Sequence, residues 1–151
     1  MGIYPQTGAF VETPNTRNSQ KFFKGLPYSN ALGMQLLEMS DGHSAMQMPY
    51  RTELIGDPDT GVIHGGAVYA LMDSCCGAAV MSHPAVSGVA ATLDLRLDYM
   101  RPATPGQTVL AKAECYHVTR SIAFVRATAT DDDTGRPVAA ATGAFTIEGM
   151  K

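Results

Sequence analysis

A single carboxylate interrupts the most extended apolar stretch of this chain of 151 residues. Between Val62 and Ser82 only Asp73 carries a full charge at neutral pH, and its helical neighbours three and four positions away are small or mostly apolar. Burying an unpaired charge among such groups costs free energy. The pattern indicates either a nucleophile or general base, its pKa tuned by burial and hydrogen bonding, or a structural carboxylate with a buried partner.

A second candidate for chemistry begins nine residues before Asp73. His64, Gly65 and Gly66 stand where a turn-rich segment meets the apolar stretch. A helix N-terminus presents unpaired N–H groups and a partial positive charge, and glycine lets a ligand approach the backbone closely. Such a site suits a thioester carbonyl, whose oxygen becomes negative during nucleophilic attack. The same three residues could also form nothing more than a flexible helix start.

The spacing of these two features predicts an oligomer. Nine residues on an ideal helix correspond to about 13 Å of rise and about half a turn of rotation. His64 and Asp73 of one chain therefore cannot contact the same ligand. If both act on one thioester, the helix N-terminus of one subunit faces Asp73 of another, and the protein is at least an obligate dimer with a composite site.

The elements around these residues predict an α+β domain with the order β-β-α-β-β-β-β. The helix is expected from His64 to Met81, and a hairpin turn at Asp41-Gly42. Strands are predicted over residues 31–40, 43–50, 89–99, 107–119, 122–131 and 137–147. The late strands have no helices between them, so we expect an antiparallel sheet wrapped around one long central helix, which is the hotdog architecture. Residues 1–30 are interpreted as an N-terminal arm with a short helix at 18–24, and residues 31–151 as one domain.

Composition excludes several classes of function. Hydrophobic residues make up 45% of the chain and charged residues 17%, which is typical of a folded protein. A net charge of -3 predicts no nucleic-acid or membrane partner, and the N-terminus carries no pattern of a secretory signal. Cys75, Cys76 and Cys115 form neither a disulfide framework nor a metal motif, which favours the cytoplasm, and no metal site is expected.

From about Ala31 to Glu148 the chain resembles the phenylacetic-acid-degradation type (PaaI-like) branch of hotdog acyl-CoA thioesterases. The family pattern is His-Gly-Gly, an Asp nine residues after the His, and a strand that ends in Tyr-x-x-Pro. Here the pattern is matched by His64-Gly65-Gly66, Asp73 and Tyr99-Met100-Arg101-Pro102. The resemblance implies that Asp73 is the nucleophile or water-activating base, Gly65 the oxyanion donor, and His64 an orienting residue near the thioester.

The resemblance also implies a hydroxyl partner for the acid, and Thr92 matches that position. Strand alternation places Thr92 on the face opposite Leu93 and Leu95, so this role requires that face to meet the site, or a bulge. The family often has an Asn six residues before the His of its motif. That position is Pro58 here, between Asp57 and Asp59, so the expected amide is absent or replaced.

Coenzyme A is expected as part of the substrate, and no separate cofactor is expected. In related proteins the groove for coenzyme A runs along strand ends, which makes Arg101, Arg120 and Ser121 candidate contacts. Gly66, at the start of the helix, is a further candidate for binding the substrate. Related enzymes are commonly tetramers built from two dimers. Two alternatives stay open: a hotdog hydratase or dehydratase, and a non-catalytic acyl-CoA-binding module. The sequence does not identify the acyl group.

Overall fold

The computed structural model describes the backbone of residues 14–150 and the side chains of residues 19–150. Its helices are α1 (Pro14–Lys24), α2 (Pro27–Ala31) and α3 (Gly65–Ser82), with a single 3-10 turn at Thr52–Leu54. Its strands are β1 (Gln35–Ser40), β2 (His43–Met48), β3 (Ile55–Asp57), β4 (Val62–Ile63), β5 (Val86–Tyr99), β6 (Val109–Val118), β7 (Ile122–Thr130) and β8 (Ala139–Met150). Residues 1–13 of the predicted arm lie outside the described residues.

One antiparallel sheet holds all the long strands, in the order β1-β2-β6-β7-β8-β5. The short strands β3 and β4 form a separate antiparallel pair just before α3. Helix α3 packs against β2, β5, β6 and β7, so the large sheet curls around it. The predicted hotdog fold is confirmed, and β1 and β5 are the two edge strands of the sheet in the described part of the chain.

Helix α3 is buried because its sequence is apolar on almost every side. It begins after His64 and ends at Ser82, two residues before Pro84, which cannot continue a helix. Side chains from all around the helix have no exposed surface, among them Leu71, Met72, Cys75, Cys76 and Val80. Each large apolar side chain buried in this way contributes about 1.5–3 kcal/mol. Within residues 14–150, no helix is long and apolar enough to cross a bilayer.

The first hairpin follows the sequence at its turn but not at its start. Asp41 and Gly42 both have positive φ angles, 49° and 79°, as a two-residue type I′ turn requires. The predicted strand from residue 31 is wrong in its first part, because Pro27–Ala31 forms α2 and β1 begins only at Gln35. Proline at a first helical position is favourable, and this is the signal that the strand prediction overlooked.

Strand β5 departs from simple alternation. Its register against β8 shifts twice, between Ser87 and Ala90 and again between Thr92 and Asp94. At each shift β5 carries one more residue than its partner, which is the definition of a β-bulge. As a result Leu93 is 57% exposed whereas Leu95 is 7% exposed. The strand predicted over residues 89–99 is present, but the simple alternation that placed Leu93 and Leu95 on one face was wrong.

A buried ion pair joins the ends of β5 and β7. Arg101 follows β5 and makes two bonds to Asp131, 2.6 and 2.7 Å long, while the Asp131 side chain has no exposed surface. The backbone N–H groups of Thr104 and Asp133 donate to the same carboxylate. The Arg101 guanidinium, helped by these N–H groups, holds the pKa of Asp131 well below its usual range. This Arg101–Asp131 pair anchors the chain just after Tyr99.

Replacing Asp131 by Asn should lower the free energy of unfolding at pH 7 by about 3 kcal/mol, because it leaves Arg101 without its counter-charge in a partly buried site. The pKa of Asp131 is lower in the folded protein than in the unfolded chain, where it is about 3.9. The stabilisation is therefore complete above that value and is lost as the pH falls below it. Chemical unfolding at pH 7 and at pH 3, at one protein concentration, measures both effects.

Glu53→Gln is the matched control for Asp131→Asn, because it removes a solvent-exposed ion pair with Arg51. The loss of stability should be small beside that of Asp131→Asn, because solvent screens an exposed ion pair. The difference in stability between wild type and Asp131→Asn should shrink at pH 3. An equal difference at both pH values would contradict the linkage.

Candidate active site

Asp73 is partly buried on α3 and accepts a hydrogen bond of 2.7 Å from the Thr92 hydroxyl on β5. This is the contact that the sequence analysis expected. It exists because the bulge after Thr92 reverses the alternation of the strand, so that Thr92 and the buried Leu95 both face the helix. The hydroxyl donor holds the orientation of the carboxylate. The pair lies at the edge of the sheet, where it is open to solvent.

Gly143 on β8 makes room for this bulge. A Cβ atom at Gly143 would lie 2.4 Å from the Asp94 carbonyl oxygen and 3.1 Å from the Leu95 Cα. Both atoms belong to the backbone, so they cannot move aside without displacing the bulge. The sequence analysis missed Gly143, although a glycine inside a strand is a signal of a bulge or a close approach.

Tyr69 lies one helical turn before Asp73 and contacts the same strand. Its hydroxyl donates a 2.6 Å hydrogen bond to the Leu95 carbonyl. Burial, and then the negative charges of Asp73 and Asp94, raise the pKa of Tyr69, so its hydroxyl stays protonated. The sequence showed Tyr69 only as a neighbour of Asp73 on the helix, because a contact to a strand carbonyl leaves no trace in the pattern.

The start of α3 is built around His64. His64 caps the helix, and its Nδ1 accepts a 2.8 Å hydrogen bond from the Gly66 N–H. The backbone N–H of His64 donates to the backbone carbonyl of Leu54 at 2.7 Å. Gly56 on β3 permits this arrangement, because a Cβ there would lie 2.7 Å from the His64 Cα. The neutral tautomer with a free Nδ1 lone pair is therefore the one that caps the helix.

Gly65 keeps its N–H available. Within residues 19–150 no acceptor contacts it, whereas the Gly66 N–H is taken by His64. The Gly65 carbonyl accepts a 2.8 Å hydrogen bond from the Tyr99 hydroxyl, which holds the first turn of the helix against the end of β5. Of the two glycines, Gly65 is therefore the one whose N–H can donate a hydrogen bond to an oxyanion.

The two halves of the candidate site do not meet within one chain. Gly65 and Asp73 lie on the same helix, eight residues and about 12 Å apart along its axis. The residues that gather around Asp73 are Thr92 and Tyr69, whereas those that gather around Gly65 are His64 and Tyr99. One protomer therefore presents an acid at one place and an N–H donor at another.

The candidate contacts for coenzyme A divide into two groups. Arg101 is not a free cation, because all five of its N–H donors bond to Asp131 and to the carbonyls of Pro102 and Arg136. Arg101 is therefore paired within the fold, and its predicted contact with a phosphate stays a prediction. The sequence did not reveal this pairing because Asp131 lies 30 positions away.

Arg120 and Ser121 remain accessible at the turn between β6 and β7. The Ser121 carbonyl accepts from the N–H of Ile147 on β8, and Ile147 pairs with Ala90 on β5. Adjacent strands are about 4.8 Å apart, so this turn lies about 10 Å across the sheet from β5, at the level of Ala90. That is within reach of a ligand that extends away from Asp73.

The segment before α3 contains a turn that is held by the Asp57 side chain. The Asp57 carboxylate accepts hydrogen bonds from the Asp59 N–H and the Thr60 hydroxyl. These contacts lower the pKa of Asp57, with the Thr60 bond as the largest cause. Asp57 is thus used inside the β3–β4 turn, next to Pro58.

The cysteines offer no nucleophile. Cys75, Cys76 and Cys115 are free and buried. Burial raises the pKa of Cys75 to about 12, so its thiol stays protonated at neutral pH. In the described part of the chain, no three His, Cys, Asp or Glu side chains lie close enough together to hold a metal ion.

A family model described as the thioesterase superfamily matches residues 60–138, about half of the chain. The chain belongs to the thioesterase superfamily. The matched range includes Asp73, Thr92 and the start of α3.

Solved structures similar to this thioesterase-superfamily chain include a PaaI protein. A Pseudomonas aeruginosa protein is 38% identical with a TM-score of 0.77, covering 88% of this chain and 98% of that one. The phenylacetic acid degradation protein PaaI of Thermus thermophilus, solved as a mutant, is 31% identical with a TM-score of 0.71, covering 80% and 98%. A hypothetical thioesterase of Streptococcus pneumoniae, solved with coenzyme A, shares the fold at 24% identity and a TM-score of 0.68, covering 79% and 88%.

The curated relatives align either over a shorter part of the chain or at lower identity. A putative esterase of Halobacterium salinarum is 38% identical over 76 residues, which is 48% of this chain and 50% of that protein. The chain thus spans about half the length of that relative. A medium/long-chain acyl-CoA thioesterase of Escherichia coli is 23% identical over 120 residues, 71% of this chain and 77% of that protein. The PaaI-like resemblance inferred from the sequence is confirmed.

Gly143→Ala should destabilise this thioesterase-superfamily protein by about 1–3 kcal/mol, because the new methyl group meets the backbone of the bulge. Gly149→Ala is the matched control in the same strand, since its Cβ would make only an ordinary 3.5 Å contact with Ser87. The control should change the free energy of unfolding by less than about 1 kcal/mol. Equal unfolding midpoints in urea for the two variants would show that the bulge is not constrained by Gly143.

Proposed function

We propose that the protein hydrolyses acyl-CoA thioesters to a free acid and coenzyme A, with the Asp73 carboxylate as nucleophile or general base. The observation that carries the proposal is the solvent-accessible Asp73 carboxylate, oriented by Thr92 on an otherwise uncharged helix. In the first step Asp73, or a water molecule that it deprotonates, attacks the thioester carbonyl carbon. The carbon–sulfur bond breaks, and coenzyme A leaves as a thiolate that then takes a proton. When water is the nucleophile, this step already gives the free acid. When Asp73 itself attacks, a second water molecule hydrolyses the mixed anhydride on its side chain, which releases the acid and restores the carboxylate.

The Gly65 N–H is the proposed oxyanion donor. It lies at the positive end of the α3 dipole and has no acceptor among the described residues, so it can stabilise the negative oxygen that forms during attack. His64 orients this end of the helix by capping it. A carboxylate and a helix N-terminus suffice without a separate cofactor, because a thiolate is a good leaving group.

The proposed site is composite. Because Gly65 and Asp73 are about 12 Å apart along one helix, a second subunit must supply one of them. Edge strand β5 supports this proposal: it carries the exposed apolar side chains of Val89, Leu93 and Tyr99, and long exposed edge strands are normally covered. A dimer is the smallest assembly that completes the site, and the family resemblance suggests a tetramer of two dimers.

Coenzyme A as the carrier of the acyl group is supported from two sides. The Escherichia coli relative is named an acyl-CoA thioesterase, and the Streptococcus pneumoniae structure holds coenzyme A. In this chain, Arg120 and Ser121 are the proposed contacts for the coenzyme, since Arg101 is occupied by Asp131. The three free cysteines suit a reducing compartment, and we place the reaction in the cytoplasm.

Asp73→Asn should abolish hydrolysis while the fold is kept, because the amide can accept the Thr92 hydrogen bond but can neither attack nor take a proton. A panel of aromatic, short-chain and medium-chain acyl-CoA thioesters, followed by a thiol-detecting reagent, measures turnover. Asp132→Asn is the control, since Asp132 is exposed in the turn after β7. It should keep wild-type rates.

Unchanged turnover by Asp73→Asn would end the proposal. Coenzyme A binding without any turnover by wild type would favour a binding module.

Mixing of subunits tests the composite site. Gly65→Pro removes the proposed donor at a helical position where proline is tolerated, and His64 before it is already extended, with ψ of 133°. Alone it should lower kcat about 10²–10³-fold. Gly65→Ala keeps the N–H, its Cβ meets only Tyr99 at an ordinary 3.6 Å, and it should keep most activity.

A refolded mixture of Gly65→Pro and Asp73→Asn chains should regain activity, since each mixed dimer contains one intact site. Two inactive parents that stay inactive when mixed, despite forming mixed dimers, would contradict the arrangement.

A further inference from the structure

Helix α3 contacts strand β5 on both sides of the bulge that presents Thr92. Before the bulge, Asp73 accepts the Thr92 hydroxyl at 2.7 Å. After the bulge, the Tyr69 hydroxyl donates to the Leu95 carbonyl at 2.6 Å. Tyr69 and Asp73 are four positions apart, so they lie one above the other on the same face of the helix. Two adjacent turns of α3 therefore bond the two ends of a four-residue segment.

This segment needs to be held, because a bulge breaks the regular pairing of its strand. The register against β8 shifts between Thr92 and Asp94, and on its other side β5 has no neighbouring strand among residues 14–150. Leu93 in the middle is mostly exposed. Packing therefore fixes the segment mainly at Leu95, which is buried, and the Tyr69 bond is the polar contact from the helix at that same residue.

A tyrosine is required for this contact, whereas packing alone would accept a phenylalanine. Tyr69 is 38% exposed, so its ring is not a central part of the core. Its hydroxyl is held as a donor over the working pH range, because burial and the nearby Asp73 and Asp94 disfavour the phenolate. The Asp73 carboxylate itself takes its hydrogen bond from Thr92 and not from Tyr69.

We propose that Tyr69 is a positioning residue for the reaction: by bonding the Leu95 carbonyl it fixes the bulge, and through the bulge it holds the Thr92 hydroxyl against Asp73. The inference rests on the proposed hydrolysis by Asp73 and adds a residue that touches neither the substrate nor the reacting atoms. Tyr69 acts only through Thr92, and this dependence can be measured.

The test is a double-mutant cycle between Tyr69→Phe and Thr92→Val on the intact protein, with an acyl-CoA thioester that wild type hydrolyses. Tyr69→Phe should lower kcat about tenfold with KM within about twofold, because misplacement of an orienting group affects the transition state more than substrate binding. In the Thr92→Val background, Tyr69→Phe should have almost no further effect, since the group that it positions is already gone. In a Thr92→Ser background, which keeps a hydroxyl, the effect should return.

Tyr50→Phe is the matched control. The Tyr50 hydroxyl also donates to a backbone carbonyl at 2.7 Å, but its acceptor is Gly61, which is not part of β5. Its effect on kcat, whatever its size, should multiply with that of Thr92→Val as for independent sites. Equal coupling of Tyr50 and Tyr69 to Thr92, or independent effects of Tyr69→Phe and Thr92→Val, would overturn the proposal.

A crystal structure of Tyr69→Phe beside one of wild type gives a readout that needs no activity. The distance from the Thr92 Oγ1 to the Asp73 Oδ1 should exceed hydrogen-bonding range in the variant. An unchanged distance would overturn the inference, and so would a fall in Tm of more than about 8 °C, which would show that the bond serves stability. If wild type hydrolyses no acyl-CoA, the proposed function fails, whereas the positioning of Thr92 is still decided by the two structures.

Discussion

The architecture follows from the constraint that a helix apolar on almost every side must be buried although it carries one carboxylate. A flat sheet would cover only one face of α3, so the sheet has to curl around it. The carboxylate then has to emerge where the curled sheet ends, because in the interior it would lack water and partners. Edge strand β5 provides this place, and the Thr92 hydroxyl replaces part of the water that Asp73 loses.

Much of the fold could be predicted because its signals are local. The apolar run of α3 with Pro84 beyond it, and Asp41-Gly42 at the first hairpin, each specify an element by their own chemistry. The β5 bulge could not be located in this way. Its position depends on Gly143 across the sheet and on Leu95 in the core, and both contacts form only after the strands have paired. Strand alternation alone therefore placed Thr92 on the wrong face, although a bulge was recognised as the alternative.

In the candidate site too, features with local signals could be predicted, whereas contacts between residues far apart in the sequence could not. Asp73 and the His64-Gly65-Gly66 start of the helix could be named from residue types and spacing, whereas Thr92 was implied only by the family resemblance. The structure shows a hydrogen bond between Thr92 and Asp73 and a helix cap by His64. Arg101 and Arg120 looked equivalent in the sequence, because both stand near strand ends. Only the folded chain brings Asp131 to Arg101 and leaves Arg120 exposed, so charge pairing over long sequence distances decided which cation stays accessible.

The burial of the three cysteines should make the folded protein unreactive towards thiol reagents. Cys75 and Cys76 lie in the middle of α3 with no exposed surface, and Cys115 is nearly as covered. Alkylating and disulfide reagents react with thiolates that they can reach, and the folded protein presents none. Labelling of Cys75 or Cys76 therefore requires the sheet to separate from the helix, so the rate of modification reports how often the core opens. In a native preparation, the three buried cysteines should therefore contribute little to an immediate reaction with a thiol-detecting reagent.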